Sequence, residues 1–572
     1  MLNGKSASDG HAVGKIVLYE KPDIEVKKGS CDNPEDCLKT LNEALDQAYQ
    51  DLDHVREKAL ESMGQEHAEI FEAHQQMVND PEIKSQVKAM IENDKVDPAY
   101  AYKEVTDQFI TIFEGMDDEY FRGRAADIKD IQYRVLALLK GLEYKDLSAL
   151  SEDSIVVAND LAPSDTAGLN LDYVKGFITE VGGMTSHTAI MARALSLPAM
   201  VGVKDALKTL KDGETVYLNA TDGDIVRNPD EKTLEKAKAR VQEQEKVKAR
   251  LRAFKDKATK TKDGSALPLF ANVGSDQDVP IAREGGAEGV GLFRTEFLFM
   301  NSDTMPDEET QRKAYLAVFE AFHPVIVRTL DIGGDKSLPY LEQEQEMNPF
   351  LGKRAIRLTL QEKDLFKTQI RALLTAAKDQ KDVRIMFPMI ARKDELLRAK
   401  EVVHDVIADL DNEGKSYQSN IQYGIMIEIP AAALNARSLA KEVDFFSIGT
   451  NDLIQYTYAA DRMNENVSYL YEPFDPTLLR LMKRTLDDAH EEGTEIGVCG
   501  EMAGDLDAGL ILSGMGMDEL SMSPGSILPL REALSKVTKD DLKALSDEVL
   551  ALDDAETVKA KVDTFKKTHG IE

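Results

Sequence analysis

Nine histidines occur in the 572 residues, and one stands in a setting suited to group transfer. The segment VGGMTSHTAIMARALSLPAMVG runs from Val181 to Gly202. Gly182 and Gly183 permit a tight turn, and Thr185 or Ser186 can cap a helix beginning at about His187. Ile190, Met191 and Ala194 then supply its apolar face. His187 would sit where unpaired backbone N–H groups and the helix dipole favour a phosphate. A neutral imidazole is also a competent nucleophile toward phosphorus. His11, His54, His490 and His569 have no comparable motif around them.

A second set of reactive residues lies in the C-terminal half. Arg294 ends GLFRTE's apolar run, Arg328 lies in VIVRTLDIGGDK, and Glu428 closes IMIEIP. Asn451 and Asp452 follow in SIGTNDL, Arg462 comes ten residues after Asp452, and Cys499 lies in GVCGEMAGD. Singly, each has an ordinary reading: an arginine is often a surface ion pair, and a cysteine in an apolar strand is a small core residue. Together they suit one chemistry. Arginine forks clamp phosphate and carboxylate oxygens. Two carboxylates can hold Mg²⁺, which completes its shell with water and substrate oxygens. A thiol beside the substrate can protonate a carbanion-like carbon. A small anionic phosphate ester whose product is an enolate fits every part, and phosphoenolpyruvate is that molecule.

The elements around these residues supply the geometry. From about residue 266, eight short runs rich in Val, Ile, Phe and Met alternate with room for helices. They are Pro268–Val273, Gly289–Arg294, Val325–Ile332, Val383–Met389, Tyr423–Ile429, Val443–Gly449, Glu495–Cys499 and Glu519–Ser523. Eight such units predict a (β/α)₈ barrel, whose functional residues gather at the C-terminal ends of its strands. No Gly-rich dinucleotide fingerprint follows a strand, which disfavours an open doubly wound sheet. Residues 1–32 and 146–228 read as one small α/β domain, with strand-like runs at Ser154–Ala158, Gly176–Thr179 and Thr215–Leu218. Residues 33–145 read as an inserted helical subdomain. Leu38, Leu41, Leu45, Ala48, Leu52, Val55 and Ala59 mark one face of a long helix ending near Gly64. Helices at about 66–78, 81–93, 99–115 and 118–141 follow. Residues 229–260, rich in Lys, Glu, Ala and Arg, predict an exposed linker helix before a barrel over 261–572. The fold class is thus multidomain α/β.

Composition narrows the function. A net charge of −33 argues against nucleic acid and anionic membrane surfaces as partners. It also means that a site for an anion must gather its own positive charge. No run approaches the ~18 apolar residues of a membrane span, and the N-terminus lacks a signal-peptide core, so a cytoplasmic protein is expected. Three cysteines, Cys31, Cys37 and Cys499, cannot form a disulfide framework, and a reducing compartment fits. Cys31 and Cys37 make a poor zinc site and read as incidental.

The motifs GGMTSHTAIMAR, GLFRTEFLFM, RTLDIGGDK, NPFLGKRAIR, IMFPMI, VDFFSIGTNDLIQYT and CGEMAGD occur in this order, with EIFEAH at Glu69–His74. In this the chain resembles, nearly end to end, the phosphoenolpyruvate-protein phosphotransferase family, enzyme I of the bacterial sugar phosphotransferase system. The resemblance implies that His187 carries the phosphoryl group on Nε2, with Thr166 contacting its ring. It implies that Arg294, Arg328, Asn451, Asp452 and Arg462 bind phosphoenolpyruvate, with Arg354 of NPFLGKRAIR supporting them. Glu428 and Asp452 would hold Mg²⁺, and Cys499 would protonate the enolate to give pyruvate. The inserted helices would dock a histidine-containing phosphocarrier protein, and the barrel would form a homodimer. Two positions depart from the family pattern: Met184 stands where Arg is usual, and Ile429 where Thr is frequent. ATP-linked relatives, such as pyruvate phosphate dikinase, need a nucleotide-binding domain of several hundred residues. Only roughly 150 residues precede the histidine segment, without a phosphate-binding Gly loop. A phosphoenolpyruvate-sensing relative without turnover is the other alternative, and intact His187, Cys499, Glu428 and Asp452 speak against it.

Overall fold

The structure is a computed structural model that describes residues 2–20, 24–63, 65–114, 119–142, 147, 150–161, 165, 169–182, 188–189, 192, 197–300, 302, 304–333, 338, 340–341, 346–462 and 464–571. The chain forms two compact units, Met1–Lys248 and Ala249–Glu572.

The first unit contains an eight-stranded sheet. Its strands are β1 (Leu2–Asn3), β2 (Lys5–Ser8), β3 (His11–Tyr19), β4 (Ser154–Ala158), β5 (Val174–Thr179), β6 (Ala199–Val201), β7 (Thr215–Asn219) and β8 (Asp224–Arg227). They lie in the order β1-β8-β7-β3-β4-β5-β6-β2. β3, β4, β5 and β6 run parallel, while β7, β8, β1 and β2 pair antiparallel. Every residue of β4 is buried, as expected of a continuous apolar run covered on both faces.

Between paired strands β3 and β4 the chain makes helices over Pro34–Met63, Gln65–Val78, Pro81–Ala89, Pro98–Glu114 and Glu119–Lys140. The apolar stripe read from the sequence is their seam, with Leu41, Leu45, Ala48 and Leu52 buried. The helix at Pro81 starts where Asp80 accepts hydrogen bonds from the N–H groups of Glu82 and Ile83, with proline in the first position. It passes into a wider turn over Met90–Asp94 and stops at Lys95 in the left-handed region. Cys31 and Cys37 are joined by a disulfide, which corrects their reading as incidental. They flank the start of the long helix with Cα atoms 6.5 Å apart, within reach of a bridge.

The second unit follows the exposed helix Glu231–Arg252, in which Ala237 is the buried residue. Its strands are β9 (Leu269–Val273), β10 (Val290–Arg294), β11 (Val325–Arg328), β12 (Val383–Phe387), β13 (Gln422–Ile427), β14 (Phe445–Ile448), β15 (Glu495–Val498) and β16 (Glu519–Met522). All pair in parallel, and β16 returns to β9 to close the barrel. Each lies within two residues of its sequence-derived bounds at the start and within four at the end. Outward side chains pack under the surrounding helices, while Leu292, Ile326, Met386, Met426, Phe445 and Cys499 form a separate cluster.

A buried arginine ties the chain leading into the barrel to its N-terminal end. Arg531, 1% exposed, donates to Thr259 Oγ1 at 2.8 Å and to the carbonyls of Phe254, Lys255 and Gly286. Its guanidinium also lies 3.3 Å from Glu288, whose carboxylate accepts from the N–H groups of Thr259 and Leu269. Arg531→Leu would leave Glu288 and several carbonyls unsatisfied. The barrel's unfolding transition in denaturant is expected to lose about 3–5 kcal/mol; a loss under about 1 kcal/mol would show that the anchor is dispensable.

Candidate functional site

The side chains named in the sequence from the C-terminal half converge on one cavity of about 700 Å³ at the C-terminal ends of the barrel strands. Arg294, Arg328, Arg354, Glu428, Asn451, Asp452, Arg462 and Cys499 all line it. Arg294 and Arg328 are the last residues of β10 and β11, while Glu428 and Cys499 directly follow β13 and β15. Asn451 and Asp452 occupy the first turn of the helix Thr450–Tyr458, whose N-terminus follows β14. Strand ends thus place titratable groups from five strands, four carboxylates or arginines and one thiol, on one rim.

The arginines are held by a buried lattice of carboxylates. Arg328 donates to Glu296 Oε1 at 2.6 Å and pairs with Asp331 Oδ2 at 3.1 Å. Arg354 donates to Asp331 Oδ1 at 3.0 Å and to Asp452 at 3.4 Å, and its guanidinium also reaches the Tyr456 hydroxyl at 3.2 Å. Asp331 therefore bridges the two guanidinium groups. These carboxylates push the pKa of both arginines further up against the effect of burial, so both stay charged. The Nε atoms of Arg294, Arg328 and Arg354 are nevertheless buried without a hydrogen-bond partner. All three side chains line the cavity, so their guanidinium charge faces an anion bound there.

Arg294 stacks 5.0 Å over the Phe297 ring, which orients its fork. Asn451 Oδ1 accepts from the Tyr471 hydroxyl at 3.1 Å. Glu296, Asp331, Tyr456 and Tyr471 were not singled out in the sequence. Glu296 and Asp331 could have been, since GLFRTE and RTLDIGGDK each carry a carboxylate two or three residues after the arginine. Tyr456 lies in the motif VDFFSIGTNDLIQYT, on the helix that carries Asn451 and Asp452, whereas Tyr471 lies outside every motif named.

Glu428 and Asp452 form the carboxylate pair. Glu428 is 1% exposed and accepts from the Met389 N–H at 2.6 Å. Met389 adopts φ 55°, a strained conformation for a side chain, and so aims its N–H at the carboxylate. Burial, then the negative charges of Asp452 and Asp331, push the Glu428 pKa up to about 8. A divalent cation between the two carboxylates would relieve that repulsion. Among the described residues no three metal-ligating side chains cluster as a cage.

Cys499 is buried, with its Sγ 3.7 Å from the Ile448 carbonyl oxygen. Burial raises its pKa to about 12, so it holds its proton throughout the neutral range. Ile429, the position that departs from the family pattern, packs against the core at the start of the helix Pro430–Leu434.

His187, Thr166 and Met184 lie outside the described residues. Thr188 and Ala189, immediately after His187, are helical and buried. Thr188 Oγ1 donates to Asp160 Oδ1 at 3.2 Å, which fixes the segment beside the C-terminal end of β4.

Three family models cover most of the chain: the PEP-utilising enzyme N-terminal domain over 3–124, the mobile domain over 150–223 and the PEP-binding domain over 248–539. The phosphoenolpyruvate-protein phosphotransferase of Bacillus subtilis (strain 168) is 46% identical over 99% of this chain and 100% of its own. The chain belongs to the phosphoenolpyruvate-protein phosphotransferase family. The relatives from Enterococcus faecalis and Geobacillus stearothermophilus are each 47% identical, covering 99% and 100% of this chain and 100% and 98% of theirs. A solution structure of Enzyme I (nEIt), 39% identical, covers 43% of this chain and all of its own, with a TM-score of 0.40.

The family member's carboxylate pair has a consequence for stability. Glu428 titrates at about 8 when folded, against an ordinary carboxylate value near 4.5 when unfolded. Between these values the native state holds a proton that the unfolded chain has lost, so its contribution to stability falls as pH rises. With divalent metal chelated, the barrel's denaturant midpoint should fall between pH 5.5 and 8, and by less in Glu428→Gln. Equal falls in both proteins would show that Glu428 is ionised throughout.

Proposed function

We propose that this chain takes the phosphoryl group of phosphoenolpyruvate onto His187 Nε2, releases pyruvate, and passes the group to the histidine of a phosphocarrier protein. The observation that carries this reading is the barrel mouth, where Arg294, Arg328, Arg354 and Arg462 line one cavity with two carboxylates and a protonated thiol. Arg294, Arg328 and Arg462 clamp the phosphate and carboxylate of the substrate. Asn451 donates to it, and Arg354 holds Asp452 and Asp331 in place. Charge-assisted bonds of this kind contribute about 1.5–3 kcal/mol each.

Glu428 and Asp452 would hold Mg²⁺, which when bound neutralises charge on the transferring phosphoryl group. His187, with Thr166 against its ring, attacks phosphorus from the other compact unit, so the two units must meet for loading and part for delivery. As the phosphoryl group leaves, the enolate carbon becomes basic. The Cys499 thiol, whose pKa of about 12 keeps it from giving its proton to water, protonates that carbon.

The helices between residues 34 and 140 are the surface proposed for the phosphocarrier protein, and this transfer opens a sugar phosphotransferase system. Two chains pair through their barrels. The cytoplasm is the proposed location; among the described residues no helix is long and apolar enough to cross a membrane.

³²P from labelled phosphoenolpyruvate is expected on the chain, acid-labile and base-stable, and absent in His187→Ala. Normal labelling of that variant would overturn the carrier assignment. Cys499→Ala should slow pyruvate formation at least a hundredfold while phosphoenolpyruvate affinity stays within threefold, because the thiol acts on carbon after the phosphoryl group departs. Loss of affinity instead would make Cys499 a structural residue.

A further inference from the structure

Asn272, the fourth residue of β9, lines the same cavity as Cys499 and has no part in the chemistry above. Its Nδ2 donates to the Cys499 carbonyl at 3.0 Å. Its Oδ1 accepts from the Ser521 hydroxyl of β16 at 2.6 Å. Ser521 is fully buried, so this second bond is shielded from water. It fixes which end of the amide faces Cys499. Gly291 of β10 makes the room: a Cβ there would lie 2.5 Å from the Ser521 Cβ and 2.6 Å from its Oγ.

Strand order explains why a side chain is needed at Cys499. β9 lies two strands from β15, with β16 between them. The β15–β16 ladder ends where Val498 lies opposite Leu520, so Cys499 is the first residue beyond it. On the other flank the Cys499 N–H donates to the Ile448 carbonyl of β14 at 3.0 Å. Asn272 supplies the partner for the Cys499 carbonyl, and the backbone that carries the thiol is held from both flanks. The next residue is Gly500, and a Cβ there would lie 1.8 Å from Thr450 Oγ1. Glycine permits that close approach, and it also gives the chain after Cys499 more torsional freedom than another residue would. The Asn272 amide removes that freedom at the carbonyl.

We propose that Asn272, oriented by Ser521, is the positioning residue that aims the Cys499 thiol at one face of the enolate. The inference rests on the reading of Cys499 as the proton donor. In that step the S–H bond breaks, the enolate's electron pair forms the new C–H bond, and the thiolate afterwards takes a proton from water. Proton transfer needs donor and acceptor within hydrogen-bond reach, and a misplacement of about 1 Å can cost about a hundredfold in rate. A clamp on the donor's backbone sets that distance and the direction of approach. Arg328 and Arg354 have partners of their own in Glu296, Asp331 and Asp452, so substrate affinity does not depend on the clamp.

The direction of approach can be read from the product. Phosphoenolpyruvate bearing deuterium and tritium at known positions on C3 gives, in ordinary water, pyruvate with a chiral methyl group, trapped at once by reduction to lactate. The full chain is used with Mg²⁺ and an acceptor phosphocarrier protein. Wild type is expected to give one configuration. Asn272→Leu should form pyruvate at least tenfold more slowly and with its configuration scrambled, because water then protonates the enolate on either face. Ser521→Ala should shift both readouts in the same direction by less, and it decides alone if Asn272→Leu does not fold. Phosphoenolpyruvate affinity, measured with His187→Ala added, should stay within threefold in both variants. If both variants keep the wild-type configuration and a rate within twofold while Cys499→Ala loses them, the clamp is wrong and the donor reading stands. A slower rate with configuration intact, or an affinity lowered beyond threefold, would make Asn272 a structural or substrate-binding residue and also overturn the clamp. If Cys499→Ala itself keeps the wild-type rate and configuration, the donor reading and the clamp fall together.

Discussion

The structure of the barrel mouth depends on Asp331 lying between two buried guanidinium groups. It accepts from Arg354 at 3.0 Å and pairs with Arg328 at 3.1 Å, while Glu296 and Asp452 close the two ends of the row. In a chain of net charge −33, two buried arginines could be kept at an anion site only by such partners. The carboxylates offset the arginines' charge and hold them in the fold, while both guanidinium-bearing side chains still line the cavity. The site is therefore preorganised before an anion arrives, which is where electrostatic catalysis draws its advantage.

That preorganisation is supported by local strain. Met389 with φ 55° donates its N–H to Glu428, and Ala355 with φ 50° directly follows Arg354. Neither conformation suits a residue with a side chain, and both lie next to a group whose position matters to the site. The surrounding core offsets the cost: Ala355 and Met389 are both buried within the large cluster that joins strands to helices. The barrel itself supplies what the charged rim needs, a rigid ring of strand ends from which five separate segments point at one volume.

Much of this was legible in the sequence because parallel strands covered on both faces read as short continuous apolar runs, and those of the barrel stand out one after another. The long helix over Pro34–Met63 was legible from steps of three and four in its apolar residues. The edges of the first sheet were not: β6 has three residues, too few to show a pattern, and the edge strands β1 and β2 are held by antiparallel partners distant in sequence. The turn over Met90–Asp94 continued the predicted helix in a different hydrogen-bond pattern, which composition does not reveal. Among site residues, those at strand ends were found because strand ends could be counted. Tyr456 lies in VDFFSIGTNDLIQYT but carried no chemistry that the sequence alone singled out, and Tyr471 reaches the site from a segment with no motif. The disulfide depends on a Cα separation that sequence spacing does not give.

The central claim is that the arginine–carboxylate lattice at the barrel mouth is the phosphoenolpyruvate site. Calorimetric titration of phosphoenolpyruvate into a full chain carrying His187→Ala, which isolates binding from transfer, tests it most directly. The account predicts one phosphoenolpyruvate per chain with Mg²⁺ present, and an affinity lowered at least a hundredfold when Arg328→Ala is added. Unchanged affinity in the Arg328→Ala protein would place the substrate elsewhere and contradict the account.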